Sequence, residues 1–125
     1  MRNIVIFTDK DSSKLEAMIA NSGDYDVRTK NIDELKDAMT FNPAVIVINC
    51  AEQKLKEAAM VTKLPAPALI VAQRFIDELI LRGDSYDFVT EPVDEKELAL
   101  RVKNLLKIKE LKETIDTVST TDALT

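Results

Sequence analysis

Residues 43 to 50 of this 125-residue chain read PAVIVINC: four β-branched apolar side chains, Val45 to Ile48, run without a break into Asn49 and Cys50. An apolar run of this length suits a strand buried on both faces of a parallel sheet. In open parallel sheets ligands and chemistry sit just past the carboxyl ends of the strands, so Asn49 stands where a reactive group is expected. A neutral amide is a poor nucleophile. The chain has no histidine, which removes Ser-His and Cys-His nucleophilic systems and histidine metal sites, and leaves carboxylates as the main groups titrating near neutrality. The lone cysteine cannot close an internal disulfide, which fits a reducing cytoplasm; beside a buried strand end, Cys50 reads as a packed structural thiol. A flavodoxin-like nucleotide-binding enzyme would need a glycine-rich or hydroxyl-rich loop after a strand. The two glycines, Gly23 and Gly83, stand at no such turn.

Composition narrows the class. Hydrophobic residues at 46% and charged residues at 31% describe an ordinary folded domain rather than a disordered chain. A chain of this length buries roughly two-thirds of its unfolded surface. The net charge of −5 argues against nucleic acid or an anionic membrane as main partner. No apolar stretch approaches membrane-spanning length and the N-terminus lacks a signal-peptide core, so a cytoplasmic location is expected.

The elements that must position these residues alternate. Ile4 to Phe7 predicts a buried strand, followed by Ser12 or Ser13 as a cap and a helix through Ala20 that stops near Gly23. Tyr25 to Lys30 alternates strictly, as a half-buried edge strand does. Asn31-Ile-Asp-Glu34 opens a second helix with a capping box, ending near Phe41 ahead of Asn42-Pro43. The opening stretch is the third strand, Glu52 to Lys63 a third helix, Ala68 to Ala72 the fourth strand, and Phe75 to Leu81 a short helix released by Gly83. Asp87 to Thr90 is the fifth strand, and Asp94 caps a last helix with Glu97 as its capping-box partner. Alternating strands and helices call for a doubly wound α/β fold, a five-stranded parallel sheet of flavodoxin-like (βα)5 order 2-1-3-4-5 with an extended C-terminal helix.

With these elements in place, residues 1 to 107 resemble a response-regulator receiver domain. The strongest local match is Asp87-Phe88-Val89-Thr90-Glu91-Pro92-Val93-Asp94 leading into an Ala/Leu-rich helix; the family usually has Asp-Tyr/Phe-apolar-x-Lys-Pro there. The strand from Pro43 to Asn49 resembles the run that ends in the phospho-accepting aspartate. The family holds magnesium with that aspartate and two acidic residues after the first strand. It binds the phosphoryl group with a Ser/Thr ending the fourth strand and with the lysine before the proline.

The resemblance carries over a degenerate site. Asn49 stands at the acceptor position, Thr8 at the first acidic position beside Asp9, Ala72 at the Ser/Thr position and Glu91 at the lysine position. Glu91 puts a negative charge where phosphate needs a positive one. The switch aromatic, Phe88, and the cis-type proline, Pro92, remain. The implied module is therefore a non-phosphorylatable pseudo-receiver with no catalytic residues, no cofactor and no metal. The sharper alternative at this position is a residual, weak magnesium or calcium site on Asp9, Glu91 and the Asn49 carbonyl. The simpler expectation is that the Asn49 amide satisfies local backbone groups.

Past Leu105, Ile108, Leu111, Ile115 and Val118 are spaced 3, 4 and 3 apart, the a/d seam of a short helical stalk over 108–120; a solvated, frayed helix end is the competing reading. The last residues, 121–125, with Asp122, Leu124 and Thr125, are similar to the opening of a GGDEF diguanylate cyclase domain. The resemblance thus implies a homodimerising regulatory module of a two-component signalling protein, whose partners are itself, a downstream cyclic di-GMP-synthesising domain and possible further signalling proteins. Another output, such as a histidine kinase, is the alternative. The pairing face implied by the family contains Glu78, Arg82, Asp87, Lys96, Arg101 and Lys103; a merely solvated face is the other reading of these charges.

Overall fold

The computed structural model describes residues 2–59, 63–74, 82–83 and 86–122, with side chains left aside at 58–59, 63, 82–83 and 112–122. Five parallel strands form the main sheet: β1 (Arg2–Thr8), β2 (Tyr25–Asn31), β3 (Val45–Asn49), β5 (Ala68–Ala72) and β7 (Tyr86–Thr90). Their spatial order, β2-β1-β3-β5-β7, is 2-1-3-4-5 in chain sequence, as the alternation of elements predicted. The remaining elements are α1 (Ser13–Ser22), a 3₁₀ segment (Ile32–Phe41), α2 (Glu52–Ala59), the short strands β4 (Lys63–Leu64) and β6 (Arg82–Gly83), and α3 (Glu95–Asp122).

The period-2 geometry of a strand sends neighbouring side chains to opposite faces, and that splits the core in two. Val5, Phe7, Ile46, Ile48 and Ile70 pack with Ile32, Leu35 and Leu55 under the 3₁₀ segment and α2. Ile4, Ile6, Val45, Val47 and Leu69 pack with Leu15 and Ile19 of α1 and with Leu98, Val102, Leu105 and Leu106 of α3. All of β3 is buried, as a central strand covered on both sides must be. β2, at the sheet edge, is only half covered.

Four local expectations change. The second helix is 3₁₀, with a non-helical residue at Asp37. Its capping box forms as expected: the Asn31 side chain accepts from Asp33 N at 2.9 Å, and Glu34 Oε2 accepts from Asn31 N at 3.1 Å. The buried residues Ile32, Leu35 and Ala38 recur every third position, which keeps one face inward at 3.0 residues per turn rather than 3.6. Asn42 closes the segment in the left-handed region at φ 49°.

The third helix, described over Glu52–Ala59, does not reach Lys63, which pairs instead with Arg82 in a two-stranded parallel ribbon. Leu64 precedes Pro65, and a residue before proline is pushed out of the helical region toward extended backbone. Gly83, expected to release a helix, lies in that ribbon; the helix expected over Phe75 to Leu81 falls outside the described residues. Gly23 ends α1 in extended backbone, φ −177°, not in a left-handed cap. Its role is steric: a Cβ there would meet the Tyr25 ring at 2.7 Å.

Candidate functional site

The parallel register aligns the carboxyl ends of the strands. Thr8 lies opposite Asn49, Asn49 opposite Val71, and Ala72 opposite Thr90. The sequence-predicted positions Thr8, Asp9, Asn49, Ala72 and Glu91 therefore gather at one end of the sheet. Above them lies a cavity of about 680 Å3 whose wall includes Asp9, Lys10, Cys50, Glu52, Arg74 and Glu91.

Two ion pairs span this mouth. Lys10 Nζ lies 3.2 Å from Glu91 Oε1, joining the loop after β1 to the loop after β7. Arg74 pairs with Glu52 at the start of α2, where Lys56 Nζ also comes within 3.7 Å of the Glu52 carboxylate. Glu91 is further held by its backbone, whose N–H donates to Ala72 O at 2.8 Å, and the Glu91–Pro92 peptide is cis. The sequence expectation placed Glu91 as a charge reversal but missed its partner. Lys10 is one exposed lysine among many, and nothing in the linear pattern ties it to a residue 81 positions away.

Hydroxyl and thiol groups at the site are not poised to react. Thr8 is buried and its hydroxyl is folded back on the next turn, donating to Lys10 O at 3.1 Å and accepting from Lys10 N at 3.2 Å. Cys50 is buried in the core beneath the 3₁₀ segment. Burial pushes its thiol up to about 12, with the negative charge of Asp9 adding to the shift. The thiol is therefore protonated at neutral pH and is not a nucleophile, which fits the packed role expected for it. Asp9 itself is exposed, and its Oδ2 accepts from Ala51 N at 3.5 Å.

Asn49 departs from expectation. Only 6% of it is exposed, and its Oδ1 has no hydrogen-bond partner in the protein. The amide was expected to satisfy local backbone groups. Thr8, opposite it in the β1 register, spends its hydroxyl proton on Lys10 O, and the carbonyl oxygen is left unmatched.

The residual cation site gains no support from geometry. Glu91 is engaged by Lys10 and Asp9 by the Ala51 N–H, and no group of three or more Cys, Asp or Glu side chains fit to hold a metal occurs among the described residues.

Among the positions singled out from the sequence, Phe88 is half-buried against the core and meets Tyr86 edge-on at 6.1 Å. Asp87 and Arg101 face each other within the chain, Oδ2 to Nη1 3.0 Å, tying β7 to α3, and Arg101 Nη2 reaches Glu97 at 3.8 Å. Lys96 and Lys103 are exposed on α3. Glu78 lies outside the described residues, and only the backbone of Arg82 is described. On α3, Leu98, Val102 and Leu105 are buried as predicted, while Ile108 and Leu111 are 37% and 61% exposed. The backbone helix continues past them to Asp122; the side chains of Ile115 and Val118 lie outside the description, as do Leu124 and Thr125. No helix of the described residues is long and apolar enough to cross a membrane. No protein-family model matches the chain, and no curated protein matches it significantly.

Proposed function

We propose that this chain is a pseudo-receiver: a regulatory and dimerisation module with no phosphoryl-transfer chemistry of its own, coupled through α3 to a downstream output domain, a diguanylate cyclase on the strength of the Asp122, Leu124 and Thr125 resemblance. The observation that carries this reading is the pair at the sheet mouth, Asn49 buried at the β3 end and Glu91 bound to Lys10. A carboxylate nucleophile is required for an acyl phosphate and an amide supplies none. A cationic partner for phosphate is required at the Glu91 position, and a carboxylate there repels it. The module works in the cytoplasm, takes no cofactor, and acts on itself and its own downstream domain rather than on nucleic acid or membrane. Joining two nucleotides needs two catalytic domains face to face, so a helix that pairs two copies is a natural control point. Incubation with acetyl phosphate or a phosphoramidate plus magnesium, followed by intact-mass measurement, tests it. The mass stays unchanged; a gain of one phosphoryl group that alkaline hydroxylamine removes would overturn the reading.

A further inference from the structure

Helix α3 carries apolar side chains on two sides. Leu98, Val102, Leu105 and Leu106 turn one side to the sheet. On the far side, at about 100° per residue, Leu100, Asn104, Ile108 and Leu111 fall within an arc of about 80°. Leu100 is 57% exposed, and of the five large apolar side chains exposed among the described residues, three stand on this stripe. Exposed apolar residues scattered singly need no explanation, whereas a row of them on one helix marks an interaction face.

The charges beside the row are one-sided. Lys96, Lys103 and Lys107 lie along one border, within about 60° of Leu100. All three are exposed, and none has a hydrogen bond or ion pair among the described residues. On the other border Arg101 is already held by Asp87 at 3.0 Å and by Glu97 at 3.8 Å. In a chain of net charge −5, three unmatched lysines on one helix edge are a local reversal of sign.

A second copy does not complement this face. In an antiparallel two-fold pair the lysine border meets the other copy's lysine border. In a parallel pair it meets the Arg101 border, where both carboxylates are already engaged. We infer that the 100–111 face of α3 docks an amphipathic helix of a different protein, one with its own apolar stripe and with Glu or Asp along the flank that meets Lys96, Lys103 and Lys107. Apolar contact supplies the affinity, and the acidic flank selects the partner. Asn104, uncharged in mid-stripe, gives that partner a polar position to match and so fixes the register. The docking stands without the dimerisation reading; its consequence rests on that reading. Ile108 and Leu111 belong both to this face and to the self-pairing seam, so a bound partner and a second copy compete for them.

The probe is a fluorescently labelled synthetic helix of about three heptads, with Leu at a and d and Glu at e and g. It is titrated with the 125-residue chain and followed by anisotropy. Chain and probe are both acidic overall, so binding reports a local basic face rather than net attraction. The Glu peptide should bind about tenfold tighter than the same peptide with Gln at e and g, and added salt should shrink that difference. Lys103→Glu with Lys107→Glu should abolish the preference for Glu over Gln. Leu100→Glu should weaken the Glu peptide about tenfold. These side chains are exposed, so the replacements leave the core intact. Equal binding of the two peptides, a preference untouched by the double replacement, or no binding of the Glu peptide would overturn the inference. A chain that stays monomeric in sedimentation yet binds the Glu peptide upholds the docking and removes the dimerisation reading. A chain that self-associates but ignores the peptide does the reverse.

Discussion

Lys10 and Glu91, 81 residues apart in the chain, meet at 3.2 Å across the carboxyl end of the sheet, and their charges cancel there. Both side chains keep substantial solvent contact, so the pair is a screened surface interaction worth about 0–1 kcal/mol. It shapes the charge of the site more than it holds the fold.

That distinction is measurable. Lys10→Ala should lower stability by at most about 1 kcal/mol in chemical denaturation. Asn49→Asp alone should remain inert to acetyl phosphate, because Glu91, Ala72 and Thr8 still lack the groups the resemblance requires. Phosphorylation of that single variant would show that the flanking positions matter less than their charges imply.

Divalent cations should bind weakly, since Glu91 and Asp9 already have partners and two carboxylates make a poor hard-cation site. Titration calorimetry with magnesium should show no tight site, and a tight one abolished by Asp9→Ala would contradict this.

Cys50 supplies a pH signature. Its folded pKa is about 12 against an ordinary 9.0. Between those values the folded state keeps a proton that the unfolded state has lost, so the group's contribution is full below pH 9 and declines as pH rises toward 12. Cys50→Ala should flatten that part of the stability–pH curve. In the native protein at pH 7, iodoacetamide should leave the thiol unmodified until denaturant is added.

The 3₁₀ segment offers a packing test. Leu35 is 1% exposed and lies in the core beneath the sheet. Leu35→Ala should cost about 2–5 kcal/mol, and a cost near zero would mean that the segment is held by its capping box rather than by burial.

Self-association should depend on the end of α3. Ile108 and Leu111 are exposed apolar side chains beyond Leu106, the last buried residue of that helix among those described. Truncation after Lys107 should reduce association in sedimentation velocity. The core should lose little, since the deletion removes the Arg2–Glu110 surface pair and no buried side chain among those described. Equal sedimentation of truncated and full chains across a wide concentration range would rule α3 out as the dimerisation element.

The alternation of apolar runs with helical spacings, and the unbroken Val45–Ile48 run, determined the parallel sheet and its order from the sequence alone. Burial on both faces leaves no polar position in a central strand, and crossover handedness leaves few topologies. The positions Thr8, Asn49, Ala72 and Glu91 were legible because each ends a strand or starts a loop at a fixed distance from it. Helix type was less so. A three-residue spacing of Ile32, Leu35 and Ala38 fits an α-helical stripe about as well as a 3₁₀ one, and the packed face decides between them. The partnerships are tertiary altogether. That Glu91 meets Lys10, that Asp87 meets Arg101, and that the Asn49 oxygen is left without a partner depend on the closure of loops from opposite ends of the chain. Side-chain reach across a sheet mouth has no period, so no linear pattern encodes it.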